Sequence, residues 1–585
     1  MRRYRIVEDL LPSVSDLIRV GLPIALLIST SALAFAAPAR RVIRLGWRAL
    51  ARCGKRPMLS LVILSMLAGL LFAIPWMLGH VQPANVHDEF SYLLAADTFR
   101  HGRLTNPSPP LWQAFQTMHV LVSPTYMSKF PPVQGLVLAA GWMLGSPRVG
   151  AIGAGALACA AVAWMLRARM SWRWALVGGL LAALMPATYE WTQSFWGGSV
   201  AMLGGAMFCG AMLRVDRLLV GGARVDKSAL KIGVIAGAGL SILANSRPFE
   251  GLLFAIILGL ILVTRLLIHR ARPRAAFAPL LGGAAIVLAP VAIWVGYYNF
   301  RITGHALQMP YALHAAQYMV APVFWWQSLQ NPKTDILHIA AFHEQFEFRE
   351  YDQQCSAAGF FRGVWRKLTF VRWTLFYPLI YFPVLIGGGL ALWRWRSARL
   401  ALAVPIVLLV AHMLCTPWLR SHYLAPVIPL WIMFVVYSIR AIGEVRLPGF
   451  KMKLPRTLAP AIACGLLLSS ATFALHTNIL AAIQREEAGN AREDVLAATR
   501  RIPGAHIIFV YYGDGPQDRY EWVTNPAEIT AAPVLFVHMR TPDLDMALVN
   551  AFPERSVWML TVNNDKFELR PVVLRNEPDP KLAPP

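Results

Sequence analysis

A series of apolar runs, each about as long as a membrane-spanning helix, constrains the fold of this chain more than any other feature. A helix needs roughly 20 largely apolar residues to cross the hydrocarbon core of a bilayer. The runs therefore predict an α-helical polytopic membrane protein with about 11–12 transmembrane helices. The lower count applies if the first run lies flat on the membrane. The predicted spans are 17–37, 57–79, 149–167, 174–188, 199–214, 231–244, 252–268, 277–298, 372–393, 400–416, 424–440 and 457–476.

The positive charge of the chain lies mainly in short turns between the apolar runs. Only 15% of the 585 residues are charged, yet the formal net charge is +24. Basic turns such as Arg167–Arg173, Arg265–Arg274 and Arg394–Arg399 alternate with turns that lack this excess. Because cytoplasmic loops of membrane proteins are enriched in Lys and Arg, the alternation places two large loops, 80–148 and 300–371, on the outer side. The same distribution argues against nucleic acid as a partner.

The chain divides into three parts by composition. Residues 1–56 form an N-terminal anchor and a basic cytoplasmic loop, and residues 57–476 form the transmembrane part with its two outer loops. Residues 477–585 differ, because shorter strand-like and helical patterns replace the long apolar runs. This tail is predicted to be a small C-terminal soluble α/β domain on the outer side. The strand-like runs are Ile507–Tyr512, Val534–His538 and Val557–Val562, and the helical stretches are Arg485–Arg501 and Asp543–Ala551.

Two polar features of the first outer loop indicate where chemistry takes place. The adjacent carboxylates Asp88 and Glu89 follow the second apolar run, and such a pair can bind a metal ion or deprotonate a hydroxyl. Lys129 provides a cation in a Lys-Phe-Pro-Pro segment near the end of the same loop. Carboxylates and a lysine at a membrane surface suit a substrate that carries both phosphate and lipid. The alternative is that Asp88 and Glu89 only begin a juxtamembrane helix, whose first turn favours acids.

Further polar residues lie at the outer ends of other predicted spans, where charge close to lipid is costly and tends to be kept for function. Arg247 and Glu250 flank a proline, and Glu190 lies among aromatic residues. Arginine binds phosphate oxygens through a bidentate fork, and lysine through a point charge. An acid, an arginine and a lysine at one site would transfer a group from a lipid phosphate. The other polar groups are Arg420, His422 and Tyr423 at one helix end, and His343, Glu344, Glu347, Arg349, Glu350 and Asp352 in the second outer loop.

Each of these groups also has a simpler interpretation. Arg247 and Glu250 can form an i,i+3 ion pair, Glu190 can lie at a solvated helix end, and His422 can pack at the membrane interface. Aromatic side chains in these turns could stack on a sugar face, but they also fit the interfacial aromatic belt of membrane proteins. These aromatic residues are Trp191, Phe195, Trp196 and Tyr423.

The order of the motifs resembles a known family. The acidic pair is followed by a Ser-Tyr-Leu-Leu-Ala-Ala-Asp-Thr-Phe-Arg-His-Gly segment at 91–102, and Lys129-Phe-Pro-Pro looks like a Lys-Pro-Pro motif with one residue inserted. A Tyr-Glu-Trp-Thr-Gln turn at 189–193 stands where the family often has a second acid. In this layout the chain resembles the GT-C superfamily of integral-membrane glycosyltransferases, in particular the bacterial branch similar to protein O-mannosyltransferases and lipid A aminoarabinose transferases. The resemblance covers about 57–476.

The resemblance implies inverting transfer of a sugar from a polyprenyl-phosphate donor to an acceptor hydroxyl on a lipid, glycan or protein. It places the active site and the C-terminal domain on the periplasmic side of a bacterial inner membrane. No cofactor is certain; some members need a divalent metal such as Mg²⁺ or Mn²⁺, which Asp88 could bind together with His87 or Glu190. The candidate catalytic residues are Asp88, which would be the base, and the acids Glu89 and Glu190. The candidate residues for binding the donor phosphate are Lys129, Arg247 and Arg420. The candidate substrate-binding residues are His87, Tyr92, Trp191, Gln193, Glu250, His422 and Tyr423.

Two other classes of function compete with a transferase. A polytopic transporter or lipid flippase often shows paired repeats and charged residues at mid-membrane. The sequence shows no internal repeat, and its candidate acids and bases lie at outer helix ends. A non-catalytic membrane assembly subunit would carry a degenerate site, whereas Asp88, Glu89 and Lys129 are all present.

Overall fold

The computed structural model describes most of the chain as helices, followed by a small C-terminal sheet. The described residues are 21–79, 83–220, 227–268, 274–331, 334–375, 381–445, 454–487, 491–513, 521–563 and 566–572. The beginning of the N-terminal anchor, parts of the predicted spans 17–37 and 372–393, and the end of the tail lie outside these ranges.

Eight of the described helices are long and apolar enough to cross a membrane, and a bent pair near the N-terminus raises the number to nine. Three shorter apolar helices accompany them, and together they account for the polytopic architecture that the apolar runs predict. The eight are Pro57–Met77, Pro147–Leu166, Gly198–Leu218, Pro248–Ile268, Phe277–Thr303, Arg396–Cys415, Ser421–Ile442 and Leu458–His476, and the shorter ones are Pro132–Met143, Ser228–Ala244 and Phe382–Arg394.

The first predicted span forms a bend. Helix Leu22–Leu33 and helix Ala37–Cys53 meet at 99°. Twelve residues extend only about 18 Å at 1.5 Å per residue, which is less than the roughly 30 Å hydrocarbon core. The first helix packs on helix Leu458–Glu487, where Ser469 Oγ donates a hydrogen bond to the Pro23 carbonyl at 2.6 Å.

The predicted span at 174–188 is divided into two short helices, Trp172–Ala183 and Pro186–Gln193. Proline has no backbone N–H and disfavours a helical residue before it. Met185, directly before Pro186, accordingly has an extended backbone with φ −72° and ψ 134°. The break places the turn that carries Glu190 and Trp191 at the end of a short helix of its own.

The two outer loops are largely ordered. The first contains helix His87–Arg100, the 3₁₀ turn Trp112–Phe115, the short strands Asn106–Pro107, Val120–Leu121 and Thr125–Ser128, and helix Pro132–Met143. The second contains helices Pro310–Tyr318, Leu337–Ala340, Phe348–Asp352 and Ala357–Leu375, with a π-helical turn at Ala341–Glu347.

The C-terminal domain is a four-stranded sheet with flanking helices. The predicted strands and the predicted helix near 543–551 are present, and one further strand, Lys566–Pro571, pairs antiparallel at the edge. That strand is mostly exposed, so it lacks the apolar pattern that identifies the others. In spatial order the strands are Val534–His538, Ala505–Tyr512, Arg555–Asn563 and Lys566–Pro571, the first three parallel, and the helices are Ala491–Arg500 and Pro542–Ala551.

The C-terminal domain shares a hydrophobic core with the first outer loop. Leu94, Phe115 and Tyr126 of the loop pack in one cluster with strand and helix residues of the domain, such as Phe509 and Leu535. Hydrogen bonds accompany this packing, because the Asp97 carboxylate accepts one from the Ala527 amide at 2.7 Å and Tyr126 Oη donates one to the Asn525 carbonyl at 2.8 Å. The tail and the first outer loop are therefore on the same side of any membrane.

Candidate active site

Asp88 lies in the first turn of helix His87–Arg100, which follows the spanning helix Pro57–Met77 along the chain. Its side chain is 29% exposed, and Oδ1 lies 3.4 Å from Nε2 of His119. The His87 and His119 rings meet edge to face with centroids 4.4 Å apart. The carboxylate is thus oriented by one imidazole and remains open to an incoming group.

The turn that carries His119 is held in an unusual conformation. His119 has φ +64°, in the left-handed region that few residues other than glycine occupy. Its carbonyl accepts hydrogen bonds from Ser91 Oγ at 2.6 Å and from the Lys129 amide at 3.1 Å. Burial lowers the pKa of His119 well below its usual value, so the imidazole is neutral at pH 7. No motif in the sequence identifies this residue, since its place depends on a backbone turn with no glycine.

Glu89 has a different environment from its neighbour. Its side chain is buried, and one carboxylate oxygen accepts hydrogen bonds from the amides of Asn85 at 3.0 Å and Val86 at 3.3 Å. The other oxygen accepts one from the Phe195 amide at 3.0 Å. Burial raises the pKa of Glu89 above its usual value. In this geometry Glu89 caps its own helix and connects it to the turn after Pro186–Gln193, so the expected catalytic role does not fit it.

Replacing Glu89 by Gln is expected to destabilise the protein rather than to remove chemistry. The amide has one oxygen where the carboxylate has two, so at least one backbone N–H loses its acceptor, at a cost of about 1–3 kcal/mol. Thermal unfolding in detergent, followed by tryptophan fluorescence, should show a lower midpoint for Glu89→Gln than for Asp88→Asn. If Glu89→Gln instead has an unchanged unfolding midpoint and no transferase activity, the catalytic role of Glu89 would be supported.

Lys129 is a buried cation beside Asp88. The residue is 3% exposed, and Nζ lies 4.8 Å from the ring centroid of Tyr311 and 5.5 Å from that of Phe130. Burial lowers the pKa of Lys129 to about 8, against the opposing effect of the nearby carboxylates of Glu347 and Asp88. The ammonium is therefore still protonated at neutral pH.

Arg247 is the second cation of the site. Its guanidinium lies 4.9 Å from the ring centroid of Tyr423, and Nε is buried with no hydrogen-bond partner among the described residues. Asp88, Glu250 and the hydroxyl of Tyr92 are close enough to act on it electrostatically. The simple i,i+3 pair with Glu250 does not form, because the Glu250 carboxylate is directed to Nε2 of His412 at 3.3 Å.

Three tyrosines surround the two cations. Tyr92 stacks on Phe130 with ring centroids 4.4 Å apart, and Tyr423 lies against Arg247. Tyr311, on helix Pro310–Tyr318 of the second outer loop, lies against Lys129 and interacts electrostatically with both Arg247 and Asp88. Sequence reasoning missed Tyr311, because it is far from Lys129 in sequence and belongs to no motif.

The second outer loop also contributes two histidines and an acid. His343 Nδ1 and Glu347 Oε2 are hydrogen-bonded at 2.6 Å, within the polar cluster that the sequence analysis singled out. His314 is fully buried, and neither of its ring nitrogens has a hydrogen-bond partner in the described part of the chain. Its ring centroid is 5.9 Å from that of His119 and 6.0 Å from that of His343.

Several expected site residues serve packing instead. Trp191 is 1% exposed, packs on Gly198 and directs its indole N–H to Ser421 Oγ at 3.3 Å, so a sugar-stacking role does not fit it. Gln193 is also buried, and its amide donates a hydrogen bond to the Phe72 carbonyl at 2.9 Å. Both side chains hold helices together and offer no free surface to a substrate.

The other candidates lie at the rim of this region. Glu190 is exposed at the end of its short helix. Arg420 is 48% exposed and lies 3.9 Å from Glu350, at the outer limit of an ion pair. His422 is buried between the rings of Trp196 and Tyr423, with centroids 5.5 Å and 4.9 Å away. Of these three, only His422 is packed against a residue that contacts Arg247.

One group of three described residues has the geometry of a metal site. The ligand atoms of His87, Asp88 and His119 all lie within 4.8 Å of one another. The Nδ1 atoms of both histidines are buried and have no hydrogen-bond partner within the described ranges. Neutral imidazoles are the form that binds a metal. His87, one of the two expected partners of Asp88, is a member of this group, and Glu190, the other, is not.

Comparison with known proteins gives matches only at the level of structure. No protein-family model matches the sequence, and no curated protein matches it. The apo structure of ArnT from Cupriavidus metallidurans has 12% identity and a TM-score of 0.49, covering 86% of this chain and 93% of that chain. ArnT from the same organism bound to undecaprenyl phosphate has 14% identity and a TM-score of 0.48, covering 86% and 92%. The apo oligosaccharyltransferase of Archaeoglobus fulgidus has 13% identity and a TM-score of 0.42, covering 86% and 69%.

The three TM-scores are below 0.5, so these matches carry no conclusion about the family of this chain. Identities of 12–14% carry nothing further about activity or site residues. The chain has the helical polytopic membrane architecture and the small C-terminal sheet domain that its sequence predicts.

Proposed function

We propose that this protein is a membrane glycosyltransferase that moves a sugar from a polyprenyl-phosphate donor to an acceptor hydroxyl. The observation that supports this most is the pairing of charges around Asp88. The three nearby acids, Asp88, Glu347 and Glu250, each lie against a histidine. No carboxylate in the described part of the chain lies at ion-pair distance from the buried Lys129 or from the half-buried Arg247.

An unpaired buried charge is costly. Lys129 and Arg247 thus offer two positive charges that an anionic ligand would neutralise. Phosphate suits both cations, since the guanidinium fork can bind two oxygens and the ammonium provides a point charge. The hydroxyls of Tyr92, Tyr311 and Tyr423 are available to donate hydrogen bonds to the remaining phosphate or sugar oxygens.

The same geometry accounts for the reaction. Asp88 accepts the proton of the acceptor hydroxyl, and the acceptor oxygen attacks the anomeric carbon of the donor sugar. The bond between that carbon and the phosphate oxygen breaks, and its electron pair leaves with the polyprenyl phosphate. Lys129 and Arg247 stabilise the negative charge that develops there. Attack from the face opposite the phosphate inverts the anomeric configuration.

A divalent metal fits the site as an additional component. The ion would be held by His87, Asp88 and His119. A set of two imidazoles and one carboxylate favours a transition metal over Mg²⁺. When bound, such an ion would polarise an oxygen of the substrate. The roles of Lys129 and Arg247 toward the donor phosphate do not depend on it.

The experiment that tests this function follows the lipid product. Purified protein is incubated with a panel of polyprenyl-phosphate sugars and a cell-envelope extract as the acceptor source, with and without a chelator. Release of polyprenyl phosphate that depends on both donor and acceptor supports the proposal. No release with any donor, together with lipid translocation in reconstituted vesicles, would favour the flippase instead. Loss of release with chelator and recovery with Mn²⁺ or Zn²⁺ would support the metal.

Orientation gives a separate prediction. The basic turns indicate that the site and the C-terminal domain are periplasmic in a bacterial inner membrane. Helix His87–Arg100, which carries Asp88, shares a hydrophobic core with that domain through Leu94. A phosphatase reporter fused after Pro585 should therefore be active, and a green fluorescent protein at the same place should be dark. The reverse pattern would place Asp88 on the cytoplasmic side.

A further inference from the structure

Glu521 is a buried carboxylate at the junction of three segments. It belongs to the C-terminal domain and is 3% exposed. Oε1 accepts hydrogen bonds from the Val523 amide at 3.1 Å and from Tyr512 Oη at 3.2 Å, inside the domain. Oε2 is directed out of the domain, 3.5 Å from the amide nitrogen of Met118 and 3.6 Å from Nε2 of His338. One side chain therefore contacts both outer loops.

A second contact from the same domain reaches the same turn. His538 Nε2 donates a hydrogen bond to the Gln116 carbonyl at 2.8 Å, and the Gln116 side chain accepts one from Thr334 of the second outer loop at 3.0 Å. His338 stacks on Tyr512 with ring centroids 4.0 Å apart and an angle of 6° between the planes. The turn 116–119 is thus fixed at both of its sides by residues of the C-terminal domain.

The position of these contacts bears on Asp88. Met118, whose amide is directed to Glu521, immediately precedes His119, the residue with φ +64° whose ring faces the Asp88 carboxylate. A conformation of this kind persists only where the surroundings determine it. Ser91 and Lys129 hold the carbonyl side of His119, and Glu521 holds the residue before it.

We propose that Glu521 is a positioning residue that acts through Met118 to keep His119 against Asp88. In this arrangement the C-terminal domain helps to order the active site. This inference rests on the proposed transferase function for its kinetic consequences. Its structural part, the ordering of turn 116–119 by Glu521, can be measured without any activity.

The structural part is tested by hydrogen–deuterium exchange on the full-length protein in detergent. Glu521→Gln keeps the size of the side chain and removes its charge. Peptides covering 116–121 should exchange roughly tenfold faster in this variant, because opening is favoured once the turn loses a charged acceptor. The control is Glu528→Gln, which removes an exposed ion pair with Arg103 at the same interface and should leave these peptides unchanged. Equal exchange in the two variants would overturn the proposal.

The kinetic part separates positioning from general stability. Glu521→Gln should lower kcat on the order of tenfold with the donor KM unchanged, because Lys129 and Arg247 are intact. In a His119→Ala background the same change should cost nothing further, since residues that act through one another are not additive. Additive losses would show that Glu521 does not act through His119. A wild-type protein that transfers no sugar would remove the proposed function but leave the exchange result decisive.

If Glu521→Gln does not insert into the membrane, His538→Asn provides the second test. It removes the hydrogen bond to the Gln116 carbonyl from the other side of the turn. Faster exchange of 116–121 in this variant, compared with Glu528→Gln, supports the inference. Unchanged exchange contradicts it.

Discussion

Replacing Asp88 by Asn is expected to abolish sugar transfer in a protein that still inserts and folds. Asn has the size of Asp but cannot take the acceptor proton, and loss of a general base typically lowers a rate by about 10²–10⁴. The only polar contact of this carboxylate among the described residues is with His119, and its side chain is 29% exposed. The fold therefore depends little on its charge.

The measurement is the initial rate of polyprenyl-phosphate release, normalised to folded protein. Asp335→Asn is the matched control, because Asp335 lies in the second outer loop, is 76% exposed and, among the described residues, pairs only with Arg540. Binding of polyprenyl phosphate itself should survive in Asp88→Asn, since both cations remain. Normal transfer in Asp88→Asn would rule out the assignment of Asp88 as the base.

The Asp88-Glu89 pair shows where sequence reasoning succeeds and where it fails. Both acids lie in the first turn of helix His87–Arg100, as the alternative interpretation predicts, but only Glu89 accepts hydrogen bonds from the amides at the start of that helix. The two side chains have different environments because adjacent residues on a helix point in different directions. Glu89 is directed back to its own N-terminus and to Phe195, and Asp88 is directed to His119.

The gathering of Asp88, Lys129 and Arg247 could be predicted in outline. Apolar runs indicate where spanning helices lie, and basic turns indicate which ends face the same side, so polar residues at outer ends are expected to lie near one another. The partners that orient them could not be predicted in this way. His119 depends on a left-handed turn without glycine, Tyr311 on the folding of a loop, and His412 on a packing contact between two spans.

Removing either cation should weaken binding of polyprenyl phosphate without weakening the fold. Hydrogen bonds to charged groups contribute about 1.5–3 kcal/mol each, which corresponds to roughly 10–100-fold in Kd for Lys129→Met or Arg247→Met. Arg247→Lys should give an intermediate loss, since it keeps the charge but not the bidentate fork. Uncharged polyprenol serves as the control ligand, whose affinity should not change, and Arg301→Met, at an exposed arginine, serves as the control variant.

The thermal unfolding midpoint of Lys129→Met distinguishes a cation that binds ligand from one that supports the fold. A cation held for structural reasons is paired with an acid, and its removal leaves a buried charge unpaired, which costs about 3–5 kcal/mol. Here the nearby acids already lie against histidines, so exchanging Lys129 for Met removes a buried charge and leaves every acid with its partner. The midpoint of Lys129→Met without ligand should be unchanged or raised, and polyprenyl phosphate should raise it much less than it raises that of the unmodified protein. A lower unfolding midpoint for Lys129→Met, with an unchanged rise on addition of polyprenyl phosphate, would mean that Lys129 supports the fold. It would contradict the proposal that Lys129 binds the donor phosphate.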